Sequence, residues 1–116
     1  MKARVRALGR LKKGEMNRTE AAYAEVLESQ KAAGEILDWK FESVTLVLAN
    51  NTRYTPDFMV QLPSGEIQFK ETKGFMMDDA WVKLKVAAAK FPFAFFLVRK
   101  KAKKDGGGWD EKEVPA

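Results

Sequence analysis

With 116 residues, a formal charge of +5, and neither cysteine nor histidine, the chain has length for one packed core and too little for two. The missing residue types exclude disulfides, Cys/His zinc sites, cysteine nucleophiles and Ser-His-Asp triads, so acid–base or metal chemistry falls to Asp, Glu, Lys, Tyr, Ser and Thr. No apolar run approaches the roughly 20 residues of a bilayer span. The basic opening MKARVRALGRLKKGE has no apolar h-region, which predicts a cytoplasmic location.

Residues 1–14 read as a basic, mobile arm. Asn17 opens a helix running to about Ala33, with Gly34 just beyond it and Met16, Tyr23, Val26 and Leu27 as its apolar stripe. Glu20 falls three residues after Asn17, the spacing of a capping box. It also lies at the edge of the apolar stripe, from where a carboxylate can reach a sheet. From Glu35 to Leu48 the pattern is that of one long or interrupted strand, closed by an Asn50-Asn51 turn.

Arg53 to Gly74, RYTPDFMVQLPSGEIQFKETKG, reads as two strands joined by a Pro63-Ser64-Gly65 turn. In the first strand Tyr54, Phe58, Val60 and Leu62 alternate with polar or smaller residues, and in the second Ile67 and Phe69 mark the apolar face, continued by Glu71 and Lys73. Folding symmetrically about Ser64 sets Asp57 opposite Glu71, with Cβ atoms roughly 5 Å apart, where like charges destabilise a sheet. A bound Mg²⁺ with oxygen ligands and Lys73 beside it compensates such a pair. The plainer alternative makes Glu71 and Lys73 an exposed strand end and Asp57 a turn cap.

Asp78 and Asp79 open a second helix that ends before Pro92, with Trp81, Leu84, Ala88 and Phe91 on one face and Lys83 and Lys90 opposite. FAFFLVRK follows as a buried strand. Beyond the Gly106-Gly107-Gly108 joint, WDEKEV reads as a possible edge strand. The aromatics Phe91, Phe93, Phe95, Phe96, Trp39 and Trp81 are expected in the core, and Trp109 at the surface or on a partner. Two basic clusters, Lys2 to Lys13 and Arg99 to Lys104, suit either solubility or a phosphate-binding surface.

Pro56-Asp57, a hairpin, then Glu71-Thr72-Lys73 resembles the signature of the PD-(D/E)xK nuclease superfamily, the restriction-endonuclease-like fold. More narrowly, the chain is similar to small phage-encoded nucleases of that group, including junction-resolving endonucleases. NRTEAAYAE, WVKLKVAAAKFP and FFLVRKK fit as well, so the resemblance spans roughly residues 15–101. It implies an α/β (α+β) domain over 15–104, with an αβββαβ core whose mixed central sheet is flanked by helices. Residues 105–116 form a Gly-rich tail. The implied activity is Mg²⁺-dependent hydrolysis of DNA phosphodiesters, with Mn²⁺ substituting, by in-line attack of water to leave a 5′-phosphate.

In that picture Asp57 and Glu71 are metal ligands, joined by the Thr72 carbonyl and by Glu20, and Lys73 orients or deprotonates the water. One of Lys83 and Lys85, together with Arg99, Lys100 and Lys101, contacts DNA backbone. The expected substrate is branched DNA such as a Holliday junction, cut by a homodimer, inside a bacterial host cell if phage-encoded. The rivals are a nuclease of the same fold with another task (transposon-end cleavage, restriction, exonuclease) and a non-catalytic nucleic-acid-binding module.

Overall fold

A computed structural model describes residues 14–73 and 78–116, with helix α1 at Arg18–Ala32 and strands β1 Asp38–Phe41, β2 Leu46–Ala49, β3 Thr52–Tyr54, β4 Phe58–Gln61 and β5 Ile67–Lys73. Helix α2 at Asp78–Lys90, β6 at Ala94–Lys100, a short 3-10 turn at Lys103–Asp105 and β7 at Trp109–Glu113 complete it. The basic arm, apart from Gly14, and the residues of the 74–77 connection lie outside the described residues. Among the described residues no helix is long and apolar enough to cross a membrane.

Five strands form a mixed sheet in the order β1-β4-β5-β6-β7, and β2 pairs with β3 in a separate two-stranded sheet. The β5–β6 pair is parallel and the others are antiparallel. A parallel pair needs a crossover, and α2 supplies it. The elements of the main sheet follow the expected αβββαβ order, with β7 added at the edge, so the chain is mixed α/β. The β4–β5 hairpin turns through Gly65 at φ +94°, where a Cβ is disfavoured, and Gly65 N–H donates to Leu62 C=O at 2.8 Å.

Each face of the sheet has its own core. On one side Leu84, Ala87 and Ala88 of α2 pack with Phe69, Phe95 and the hairpin residues Leu46, Leu48 and Tyr54. On the other, Tyr23 and Leu27 of α1 pack with Ile36, Phe58, Val60 and Val98. Burying those large side chains contributes about 2 kcal/mol each at ordinary transfer values.

Several expectations need correction. The run from Glu35 to Leu48 is two strands in different sheets, and Tyr54 ends β3 rather than continuing β4, because Pro56 has no N–H to give a ladder. Phe93 is 39% exposed, since it precedes β6, although its ring meets Phe69 edge-on at 5.5 Å. Trp109 is half-buried at the start of β7, with its ring 5.1 Å from that of Tyr23; it packs on the α1-side core instead of standing at the surface.

Candidate metal centre

Helix α1 begins with both bonds of a capping box. Glu20 N–H donates to Asn17 Oδ1 at 2.8 Å, and Asn17 N–H donates to Glu20 Oε1 at 2.9 Å. These satisfy donors that a helix start otherwise leaves to water. They also hold the Glu20 carboxylate at the end of the helix, and the residue is 3% exposed.

Glu42 comes immediately after β1, and its φ of +49° lies in the left-handed region. A non-glycine residue there carries a backbone cost of order 1 kcal/mol. Its N–H donates to the carbonyl of Asp57 at 2.8 Å, which carries the β1–β4 ladder one step beyond Phe41↔Phe58. Glu42 thus stands beside Asp57 across the sheet.

Asp57, also 3% exposed, directly precedes β4. Its Oδ2 accepts the N–H of Thr72 at 3.0 Å and the Thr72 hydroxyl at 2.9 Å. Glu20, Glu42 and Asp57 each present a carboxylate oxygen, and the three oxygens lie within 4.8 Å of one another. Three acidic side chains from three separate elements converge at one point.

Glu71 stands on the next strand. Phe58 pairs with Lys70 and Gln61 with Ile67, the register in which Asp57 faces Glu71. The two carboxylates are served by different donors. Glu71 Oε1 accepts the Tyr54 hydroxyl at 2.8 Å and the N–H of Asp57 at 3.1 Å. Hydrogen bonds to the charged form favour it, so they offset part of the repulsion between the opposed acids. The Tyr54 hydroxyl is pushed well above its ordinary value by burial, then by the charge and hydrogen bond of Glu71 and the charge of Asp57. Tyr54 therefore stays a neutral donor to Glu71.

Lys73 ends β5, half-buried, and pairs in register with Arg99 of β6. Because β5 and β6 are parallel, exposed Arg99, Lys100 and Lys101 leave the sheet at the end where Glu71 and Lys73 sit. Arg99 Nη2 lies 3.6 Å from Asp110 Oδ2, an exposed pair of little strength. On α2, Lys83 is half-buried, and exposed Lys85 places its ammonium 5.3 Å from the Trp81 ring centre.

The structure gathers Glu20 and Asp57 in one cluster, with Glu71, Thr72 and Lys73 on the adjoining strand. Thr72 reaches Asp57 as a donor, through its N–H and hydroxyl. Sequence reasoning missed Glu42, which follows an ordinary strand and enters the cluster only through the β1–β4 pairing. It also read Tyr54 as an apolar strand position, although a tyrosine three residues before Asp57 signals a hydroxyl that needs a partner when buried.

The donor set suits a hard divalent cation, since Mg²⁺ and Mn²⁺ take carboxylate oxygens. Oxygens around one octahedral Mg²⁺ stand about 3.0 Å apart when adjacent and about 4.2 Å when opposite, so the three carboxylates would draw together on binding it. No family model, curated protein or solved structure matches the chain.

Proposed function

We propose that this chain is a divalent-cation-dependent DNA endonuclease. The observation that carries this reading is the convergence of Glu20, Glu42 and Asp57 within 4.8 Å, next to Glu71 and Lys73. Carboxylate oxygens that converge from three segments of the chain make the hard-oxygen ligand set that a divalent cation takes.

Glu20, Glu42 and Asp57 would hold the ion, with Glu71 beside them. Such an ion polarises a phosphoryl oxygen and acidifies a water molecule. The chain's own groups do the rest. Thr72 fixes the plane of the Asp57 carboxylate through two bonds to Oδ2. Tyr54 holds Glu71 in one orientation. Lys73 brings a positive charge to the end of β5, where it orients the attacking water and offsets charge developing on the phosphate. Arg99, Lys100 and Lys101 continue the positive surface along the phosphate backbone, a contact that weakens steeply with salt. Lys83 on α2 extends this path, while Lys85 is drawn towards Trp81.

The substrate in this proposal is branched DNA, in keeping with the resemblance to junction-resolving nucleases. A four-way junction needs two symmetric incisions and each chain carries one such cluster among its described residues, so the active form is a two-fold homodimer. The test incubates labelled linear, nicked, flapped and four-way DNA with the protein in Mg²⁺ and in EDTA. The expected result is Mg²⁺-dependent cutting that favours the branched substrates. DNA shifted in both buffers and cut in neither overturns the nuclease reading in favour of a binding module.

A further inference from the structure

Lys70, in the middle of β5, is buried on the side that faces α1. Its ammonium lies 2.6 Å from Glu111 Oε1 and 4.3 Å from the centre of the Phe96 ring. The other oxygen of the same carboxylate, Oε2, accepts the Tyr23 hydroxyl at 2.8 Å. One side chain of the edge strand β7 therefore ties together β5 and α1. The Lys70 side chain is 11% exposed and that of Glu111 27%, and such a part-buried pair adds little net stability, because the cost of desolvating Lys70 offsets much of a partly screened attraction. The network calls for a role other than packing.

Its position suggests one. Tyr23 follows Glu20 by three residues, on the same face of α1 and about 4.5 Å further along the helix. Thr72 follows Lys70 by two residues, on the same side of β5 and about 6.6 Å further along. Thr72 holds Asp57, and Glu20 lies beside Asp57 in the cluster. The chain Tyr23–Glu111–Lys70, which joins α1 to β5, thus runs alongside the Glu20, Asp57 and Thr72 side chains. Two other polar ties hold α1 to β1, Trp39 Nε1–H to Glu28 Oε1 at 2.9 Å and Lys31 Nζ to Asp38 Oδ1 at 3.1 Å, but both are exposed and lie in the C-terminal half of the helix. Around Glu20 the seat is the Tyr23 ring with half-buried Met16 and Ala24, and apolar contact is non-directional, so the Tyr23 hydroxyl is the directional contact next to that end of the helix.

We infer that Glu111 is a positioning residue for the acidic cluster: through the Tyr23 hydroxyl it sets the rotation and axial position of α1, and so the place of the Glu20 carboxylate beside Asp57 and Glu42. This inference rests on the metal-binding reading above. It makes β7, remote in sequence from every acid of the cluster, part of the site.

The test is calorimetric titration of Mn²⁺ into the full chain, at a temperature where circular dichroism shows every variant folded. Absence of Mn²⁺ binding by the unmodified protein overturns the site reading, and the positioning role falls with it. Given binding, Tyr23→Phe and Glu111→Leu are expected to weaken Mn²⁺ by about tenfold, the range for groups that orient metal ligands. The double variant Lys70→Met with Glu111→Gln removes both charges of the pair but keeps an acceptor for Tyr23, and is expected to bind as the unmodified protein does. A purely structural network lowers the melting temperature of Tyr23→Phe and leaves its Mn²⁺ affinity unchanged; that result overturns the inference alone. A double variant as weak as Tyr23→Phe also overturns it, because an acceptor for the hydroxyl would then not suffice.

Discussion

Helix α2 meets the sheet through Leu84, Ala87 and Ala88 packed with Phe69 and Phe95, whereas α1 meets it through Tyr23, whose hydroxyl bonds to a partly exposed Glu111 that also pairs with buried Lys70. The two helices are of similar length and lie on opposite faces of the sheet. They differ in what their contacts specify. Dispersion and hydrophobic burial reward closeness in any orientation, while a hydrogen bond of 2.8 Å rewards one geometry. Helix α2 supplies stability, and helix α1 adds the placement of the Glu20 carboxylate.

The sharpest way to break this contrast is at the cluster itself. Asp57→Ala, Glu71→Ala and Lys73→Ala should each lower DNA cleavage by about 100-fold or more, with circular dichroism spectra unchanged. Full activity in any one of them removes that residue from the site. Glu20→Gln keeps an acceptor for the Asn17 N–H, as capping boxes allow, and should cost no more than about 1 kcal/mol of stability while cleavage falls. Normal cleavage in that variant leaves Glu20 as a cap only.

Next in size is Leu84→Ala on the opposite face. Leu84 is 1% exposed, so its truncation should cost about 2–4 kcal/mol in denaturant unfolding. Mn²⁺ affinity measured on the folded fraction should not move. A matching loss of metal affinity would mean that both helices place the cluster, and the contrast between the faces would fail.

The two tyrosines give a pH test. They are the only tyrosines in the chain, each is buried, and each donates to a carboxylate. Both hydroxyls are held above their ordinary value of 10.0, Tyr23 by burial first and then by the Glu111 hydrogen bond and charge. Raised values mean that the folded state keeps protons the unfolded chain releases. Their contribution to stability is therefore fully present below about pH 10 and is lost as pH rises beyond it. Phenolate absorbance should appear together with loss of circular dichroism. Phenolate forming in a protein still folded would contradict the burial of these hydroxyls.

The smallest expected effect concerns Glu42. Asn51, at φ +62° in the β2–β3 turn, is a residue type that tolerates the left-handed region, whereas Glu42 at φ +49° is not. Glu42→Gly should therefore raise stability in metal-free buffer by about 0.5–1 kcal/mol and weaken Mn²⁺ binding. A loss of stability would show that the Glu42 side chain serves the fold.

Much of this was legible from residue spacing. The Pro63-Ser64-Gly65 turn determines the β4–β5 register, and that register alone sets Asp57 against Glu71. Asn17 with Glu20 announces its capping box, because both bonds are local. The parts that escaped are non-local. Glu42 joins the cluster through a strand pairing that no short motif encodes. Lys70 was hidden by the alternation of β5, which seemed to have one apolar face, yet a strand between β4 and β6 is covered on both. Its partner Glu111 lies 41 residues away. The β2–β3 hairpin was likewise concealed, since Tyr54 and Phe58 share a parity that reads as one strand until Pro56 is taken as a break.

The central claim is that Glu20, Glu42 and Asp57 form one cation site, and an anomalous difference map from a crystal of the protein grown with Mn²⁺ tests it most directly. A single strong peak within bonding distance of oxygens from all three residues, about 2.1–2.2 Å, is the predicted result. A map in which these three carboxylates are ordered and no peak lies among them would contradict it.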